Sequence, residues 1–376
     1  MPGTDLDRGR LLEALALAQA SIGLSDPNPR VGCIIGHADG RVLGRGHTQQ
    51  AGGPHAEVMA LRDAAAAGTS TRGATAWVTL EPCAHHGRTP PCCDALIEAG
   101  VARVVVAVGD PFPEVAGAGM ARLRAAGIEV ALGDDAVADA ARELNLGYFH
   151  RQAHQRPWVR LKAAMSIDGR TALPDGRSQW ITGEAARQDG HHWRRRAGAV
   201  LTGIGTVLGD DPRLDVRLVP TALQPLRVVA DTQLRLPVTA RILAPPGSVL
   251  VVTASADQAR ASALRALGAE VLPLADAQHR VDLAALIDEL GRRQVNELHL
   301  EAGATLGGAM LRAGLVDELL VYCAPILIGD GAPLAALGAL PDLASAPRFR
   351  FERVDRLGDD LRLRWRRPTE RAPAGG

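Results

Sequence analysis

The chain lacks any excess of charge: 42 basic side chains face 42 acidic ones. Proteins that track along nucleic acid usually carry a basic face that follows the phosphates. No basic run here is longer than Arg194-Arg195-Arg196, so a nucleic-acid polymer is not the expected substrate. Apolar runs of membrane length, about 18 residues or more, are also missing. The opening Met1-Pro2-Gly3-Thr4-Asp5-Leu6-Asp7-Arg8 has no apolar core of a secretory signal. A cytoplasmic protein with no membrane partner is therefore expected. The five cysteines are odd in number, and three fall close together at 83, 92 and 93. That fits a reducing compartment better than a disulfide framework. Lysine is nearly absent, with Lys162 the one lysine among 42 basic residues.

What is present divides into two α/β halves. At 376 residues, two domains are the natural expectation, and 47 % apolar residues give each half a core. Periodicity places a helix near 9–22, strands near 31–36, 41–46 and 74–80, and a β-run from Ala102 to Val108. Helices over 117–126 and 135–147 follow, an α/β/α sandwich pattern. The scattered His, Arg and Gln of Tyr148 to Pro157 suggest a connector. A new strand opens at Pro157, and β/α alternation resumes. The expected domains are 1–150 and 151–376.

The chemistry of the first half lies in His55-Ala56-Glu57, Glu81-Pro82-Cys83 and Cys92-Cys93. His55 opens an apolar-periodic run, so His55 and Glu57 should share the first turn of a helix. Pro82 suits a helix start and predicts Cys83 at a second helix N-terminus. Pro90-Pro91 sets up a third at Cys92. Three zinc-type ligands (His55, Cys83, Cys92) leave a fourth position for water, which ionises near neutral pH when bound. Glu57, beside the metal and not on it, can carry protons. This combination is the signature of zinc-dependent base deaminases. The alternatives are two buried cysteines packing as small hydrophobes, or a structural zinc with His85 or His86 as fourth ligand. Cys93 is expected to pack in the helix.

The second half speaks more quietly. Lys162 precedes the Ser166-Ile167-Asp168-Gly169 turn, and a lone lysine where arginine serves everywhere else suggests a compact ammonium or a mobile proton. A leftover surface lysine is the competing reading. Two glycine loops, Thr202-Gly203-Ile204-Gly205-Thr206 and Ala302-Gly303-Ala304-Thr305-Leu306-Gly307-Gly308, follow β-like runs. Each sets backbone N–H groups and a threonine at a strand's carboxyl end, as α/β folds do for phosphates.

Four segments together closely resemble the bifunctional deaminase/reductases of riboflavin biosynthesis. They are Asp26-Pro27-Asn28-Pro29-Arg30-Val31-Gly32, Pro54-His55-Ala56-Glu57, Glu81 through Cys92, and Leu300-Glu301-Ala302-Gly303. The resemblance runs from about residue 9 to 365. It implies a cytidine-deaminase-like three-layer N-terminal domain and a dihydrofolate-reductase-like C-terminal domain. It also implies zinc-dependent deamination of 2,5-diamino-6-(5-phosphoribosylamino)pyrimidin-4(3H)-one, then NADPH-dependent reduction of the ribosyl group to ribityl. By matching positions, Asn28, His47 and Arg88 would contact the deaminase substrate, with Glu57 as proton carrier.

In the reductase half, the resemblance assigns Ala164, Trp180, Thr206, Asp210, Thr232 and the turn Gly303, Ala304, Thr305, Leu306, Gly307, Gly308 and Ala309 to the cofactor. Ser178, Arg194, Leu214, Arg217 and Glu301 would line the substrate, Arg194 and Arg217 gripping its phosphate. Lys162 and Glu301 would address the ribose. Without the resemblance, Trp180 is as readily a core aromatic. The chain departs from the family where Asp26 replaces a frequent histidine, and in a longer Ala-rich stretch at 64–72. A nucleoside or tRNA deaminase with an unrelated second domain is the rival enzyme, and a homo-oligomer is expected.

Overall fold

The computed structural model describes residues 4–85, 90–112, 115–244 and 246–368. The chain forms two compact units, one ending at Gln155 and the other beginning at Arg156. Among the described residues no helix is long and apolar enough to cross a membrane.

The first unit runs α1 (Asp5–Ala18), β1 (Gly32–Gly36), β2 (Val42–His47), α2 (Ala56–Ala66), β3 (Thr75–Val78), α3 (Cys92–Glu98) and β4 (Arg103–Val106). It continues through α4 (Ala118–Ala125), β5 (Glu129–Leu132), α5 (Asp135–Leu144) and α6 (Leu146–His154). The strand order is β2-β1-β3-β4-β5, with β1 antiparallel to both neighbours and the rest parallel. Glycines set the layering. A Cβ on Gly32 would lie 1.9 Å from the Ala14 carbonyl oxygen of α1, and one on Gly46 2.2 Å from that of Ala56 in α2. Gly46 pairs with Cys33, the neighbour of Gly32. Successive residues point to opposite faces, so α1 and α2 cover opposite sides of the sheet. Ile34, Ile35, Val104, Val105 and Val106 are consequently all fully buried.

Three expectations about this unit need correcting. The first helix begins at Asp5, four residues early, because Thr4 and Asp7 form a reciprocal capping box. Second, the segment 135–147 is not one helix. The Asn145 side chain accepts from the Arg30 N–H (2.7 Å) and donates to the Arg30 carbonyl (2.9 Å), and the helix breaks there. Third, the supposed connector is helical: α6 buries Gly147 and Tyr148, leaves His150, Arg151 and Gln152 half-buried and exposes His154.

The second unit contains β6 (Trp158–Ser166), β7 (Arg170–Ala172), α7 (Glu184–Arg196), β8 (Ala199–Gly203), α8 (Ile204–Asp210), β9 (Leu226–Ala230), β10 (Val249–Thr253) and α9 (Gln258–Ala266). After these come β11 (Glu270–Pro273), α10 (Leu283–Arg292), β12 (Glu297–Glu301), α11 (Ala304–Arg312), β13 (Glu318–Ala324), β14 (Ala332–Pro333), β15 (Arg350–Leu357) and β16 (Asp360–Arg366). Nine strands form one sheet, β11-β10-β9-β8-β12-β6-β13-β16-β15. It is parallel as far as β13, and β16 and β15 add an antiparallel hairpin. Both units are therefore of the expected α/β class.

The two faces of β6 and β12 differ. Val159, Leu161, Leu298 and Leu300 join an apolar core with Leu286, Leu290 and Met310. The opposite face carries Arg160, which bridges Glu297 (3.0 Å) and Glu318 (2.5 Å) in full burial. α7 covers this polar face: Arg196 pairs with Glu297 at 2.8 Å, and the Trp193 ring lies 4.3 Å from the Arg160 guanidinium carbon. Lys162, two residues beyond Arg160, and Glu301, four beyond Glu297, occur further along the same faces, paired in register.

Candidate functional sites

In the first unit the functional residues gather at one edge of the sheet. β1 begins opposite the end of β2, since Gly32 pairs with His47. Thr79, just past β3, accepts the Gly32 N–H at 3.0 Å. Asn28 precedes β1, His55 and Glu57 begin α2, Cys83 follows β3, and Cys92 begins α3. All therefore open onto that edge. Close packing of α2 on Gly44 and Gly46 fixes where its first turn points.

His55 is the N-cap of α2 and Glu57 lies in its first turn, as expected. Cys92 starts α3 behind Pro91. Cys83 does not start a helix: residues 81–84 are irregular. Its carbonyl accepts from the Cys93 N–H (3.2 Å) and its sulfur from the Cys92 N–H (3.3 Å). Those bonds tie it to the start of α3 and leave no ladder for a helix of its own.

The donor atoms of His55, Cys83 and Cys92 all lie within 4.8 Å of one another. His55 Nδ1 is 3.7 Å from the Cys83 sulfur and 3.3 Å from the Cys92 sulfur. Zinc bonds of about 2.0–2.3 Å in a tetrahedron put ligand atoms about 3.5 Å apart, so the donor set fits zinc. The Cys92 thiol and His55 lower the Cys83 thiol, while Cys83 and burial raise that of Cys92, so the two sulfurs share one proton in the absence of a metal. Burial pushes the Glu57 carboxyl up to about 7. Glu57 is thus buried beside the metal donors and is able to hold a proton near neutrality.

The competing readings can now be weighed. His85 is not part of the donor cluster; its ring lies against Phe112, centroids 5.7 Å apart. His86 and Arg88 lie outside the described residues. Cys93 packs as expected, its thiol donating to the Pro82 and Gly119 carbonyls. Sequence reasoning gave no role to Glu81. It is buried, and its carboxylate accepts from the N–H groups of Asp110 (3.3 Å), Gly117 (3.0 Å) and Met120 (3.1 Å). It thereby anchors the loop that carries Cys83. His47 sits near the Ser21 hydroxyl (3.4 Å) and the Gln49 amide (3.3 Å). Asn28 is half-buried in the turn before β1.

In the second unit the carboxyl ends of the parallel strands share an edge. There Glu301 forms a two-pronged ion pair with Arg194, one contact at 2.9 Å. Arg194 also donates to the Asp215 carbonyl at 3.1 Å. Lys162, registered beside Glu301, has its ammonium 5.7 Å from the centre of the Tyr322 ring. Burial lowers the Lys162 pKa against the pull of Glu301. For Glu301, burial alone would raise the carboxyl, but Arg194 and Lys162 outweigh it and hold it well down. Burial also keeps His299 neutral, at about 3; its Nε2 is 3.5 Å from Glu301.

The two glycine loops meet. α8 and α11 begin directly after β8 and β12, which are neighbours, and the Gly303 N–H donates to Thr206 Oγ1 at 3.3 Å. Residues 303–309 form the first turns of α11, and the N–H groups of Ala304, Thr305 and Leu306, ahead of the first helical bond from Gly307 to Gly303, open at the same edge as Thr206. Ala164 lies on β6, Asp210 ends α8, and Thr232 follows β9, its hydroxyl accepting the Val281 N–H at 3.4 Å. Ser178 and Trp180 sit in the loop before α7. Trp180 is 67 % exposed beneath the Arg187 guanidinium, so it is not a core aromatic. The Leu214 side chain is buried in the apolar core. Arg217 pairs with Asp215 at 2.9 Å, and its N–H donates to His191. His191 had no visible signal because its partner, the Arg217 N–H, is distant in sequence, and Asp215 because its burial between two neighbouring arginines does not show in the sequence.

Comparison with known proteins finds a match for each unit. The family model for the cytidine and deoxycytidylate deaminase zinc-binding region matches residues 7–108, and that for the RibD C-terminal domain matches 157–363. The riboflavin biosynthesis protein RibD of Escherichia coli K12 is 45 % identical over 95 % of this chain and 98 % of its own. Among solved structures, RibD of Acinetobacter baumannii superposes with a TM-score of 0.86 at 43 % identity, covering 97 % of this chain and 99 % of that one. The Thermotoga maritima diaminohydroxyphosphoribosylaminopyrimidine deaminase/5-amino-6-(5-phosphoribosylamino)uracil reductase has a TM-score of 0.86 at 32 % identity, covering 96 % and 99 %. With a zinc-type donor set in one unit and the matched reductase domain in the other, the chain belongs to the RibD family of bifunctional deaminase/reductases of riboflavin biosynthesis.

Proposed function

We propose that the first unit deaminates 2,5-diamino-6-(5-phosphoribosylamino)pyrimidin-4(3H)-one and the second reduces the resulting 5-amino-6-(5-phosphoribosylamino)uracil at its ribosyl group. The observation that carries the first step is the His55, Cys83 and Cys92 donor triangle with the buried Glu57 carboxyl beside it. Zinc bound there supplies a water ionised near neutral pH. With zinc held by His55, Cys83 and Cys92, Glu57 would take a proton from that water and give it to the ring nitrogen as the water oxygen bonds to the amino-bearing carbon, then carry the second proton to the amine as the C–N bond breaks and ammonia leaves. Asn28, His47 and Arg88 hold the substrate, Arg88 on its phosphate.

NADPH, when bound across the starts of α8 and α11, supplies the hydride for the second step. The paired glycine loops and Thr206 fit a phosphate-bearing cofactor. Ala164, Trp180, Asp210 and Thr232 complete its seat. Arg194 and Arg217 grip the substrate phosphate, Ser178 and the backbone at Leu214 line its path, and Lys162 and Glu301 address the ribose. Lys162, kept from full hydration beside Glu301, is the group placed to hold or move a proton at the sugar.

Five free cysteines support the cytoplasm as the setting, and we expect a homo-oligomer acting on a small phosphorylated pyrimidine. Ammonia release tests the reading, measured with the diaminopyrimidine ribotide, with cytidine and with an adenosine-containing anticodon stem. The ribotide should be strongly preferred. Preference for cytidine or the stem would replace this reading with a nucleoside or tRNA deaminase.

A further inference from the structure

The segment Arg213-Leu214-Asp215-Val216-Arg217 belongs to no helix or strand, yet its three central residues are buried. Leu214 and Val216 are buried, while Arg213 and Arg217 are partly exposed. Leu214 adopts φ +53°, a left-handed backbone. Both backbone groups of Val216 are clamped by the Gln224 amide: its oxygen accepts the Val216 N–H and its nitrogen donates to the Val216 carbonyl, each at 2.8 Å. The Arg217 N–H is held by His191 Nδ1 at 3.2 Å. This ribbon is therefore pinned at two successive residues, Val216 and Arg217.

On its other side Asp215, 3 % exposed, gives one carboxylate oxygen to each flanking arginine. Arg213 NH2 reaches Oδ2 at 2.6 Å and Arg217 NH1 reaches Oδ1 at 2.9 Å. The Asp215 carbonyl accepts from Arg194, which also holds Glu301. Three guanidinium groups thus converge on one residue. In this cluster Arg194, Arg213 and Arg217, with Lys162 in register beside Glu301, outnumber Asp215 and Glu301. An unbalanced cationic cluster at the mouth of a site suits a dianion, and the free edges of paired guanidinium forks suit phosphate oxygens.

We infer that Arg213 is a third phosphate-recognition residue of the reductase site and that Asp215 is a positioning residue holding Arg213 and Arg217 in place for it. This rests on the reading that Arg194 and Arg217 grip the substrate phosphate. The test is steady-state reductase kinetics of Arg213→Gln, Asp215→Asn and Arg217→Gln, with ribose 5-phosphate and ribose as competing probes. Arg213→Gln should raise KM about tenfold and weaken ribose 5-phosphate inhibition by about the same factor. Its kcat should stay within about twofold and ribose inhibition should not move. Asp215→Asn should reproduce the KM effect, and Asp215→Glu should restore part of it. If Arg217→Gln weakens ribose 5-phosphate binding and Arg213→Gln does not, this inference fails while the phosphate reading stands. If neither variant changes it, both fail. A fall in kcat and melting temperature, with ribose 5-phosphate inhibition unchanged, would mean a merely structural ribbon and would also overturn it.

Discussion

The two sites are built in opposite ways. The first unit draws its metal donors and carboxylate from two short stretches, 55–57 and 83–92, and sets them at one edge of a small sheet. The second assembles Lys162, Arg194, Asp215 and Glu301 from β6, α7, an irregular ribbon and β12. One site is a local motif held by helix starts. The other is a product of topology, since parallel strands bring distant residues to a common edge. The difference predicts that damage will stay within one unit.

Loss of a metal donor should have the largest effect. In Cys83→Ser, or after chelation, ammonia release should fall below detection while NADPH oxidation with the deaminated substrate stays within about twofold. Parallel loss of both activities would mean the units are not independent. The reverse change comes next. Lys162→Arg keeps the charge but replaces a compact ammonium with a planar fork, and should slow NADPH oxidation by about a hundredfold without altering ammonia release. An unchanged rate would remove the role given to that lysine.

A smaller effect concerns stability of the first unit. Asp7 is 1 % exposed and pairs with Arg103 at 2.7 Å and with the Trp77 indole at 2.8 Å. Burial alone would raise its carboxyl, but Arg103, Trp77 and Thr4 outweigh that and hold it below the usual range. A depressed folded value means the stabilisation is complete above the ordinary aspartate value of about 4 and is lost as pH falls below it. Asp7→Asn should cost about 2–3 kcal/mol near pH 7 in urea unfolding, and the variant should lose less further stability on acidification than the parent. Equal acid sensitivity in both would contradict the pairing.

Much of the first site was legible because metal chemistry restricts residue types and their spacing. His55, Glu57 and Cys92 were placed on the helix starts where they occur. Cys83 was not, because Pro82 permits a helix start without compelling one, and tertiary bonds to Cys92 and Cys93 decided otherwise. Local propensity likewise missed the break at Asn145, which serves the distant Arg30 backbone. In the second unit the glycine loops announced helix starts, yet their meeting through Gly303 and Thr206 depends on β8 lying beside β12. His191 was invisible for the same reason, since it serves the distant Arg217 N–H. An acid between two arginines reads as a solvated surface charge until burial shows what it holds.

The most direct test pairs metal content with turnover on a single preparation of Glu57→Gln. About one zinc per chain should remain in the variant, as in the parent, while ammonia release from the ribotide falls by about 10²–10⁴-fold. Turnover that survives the substitution with zinc still bound would contradict the account, as would a fully active parent protein that carries no zinc.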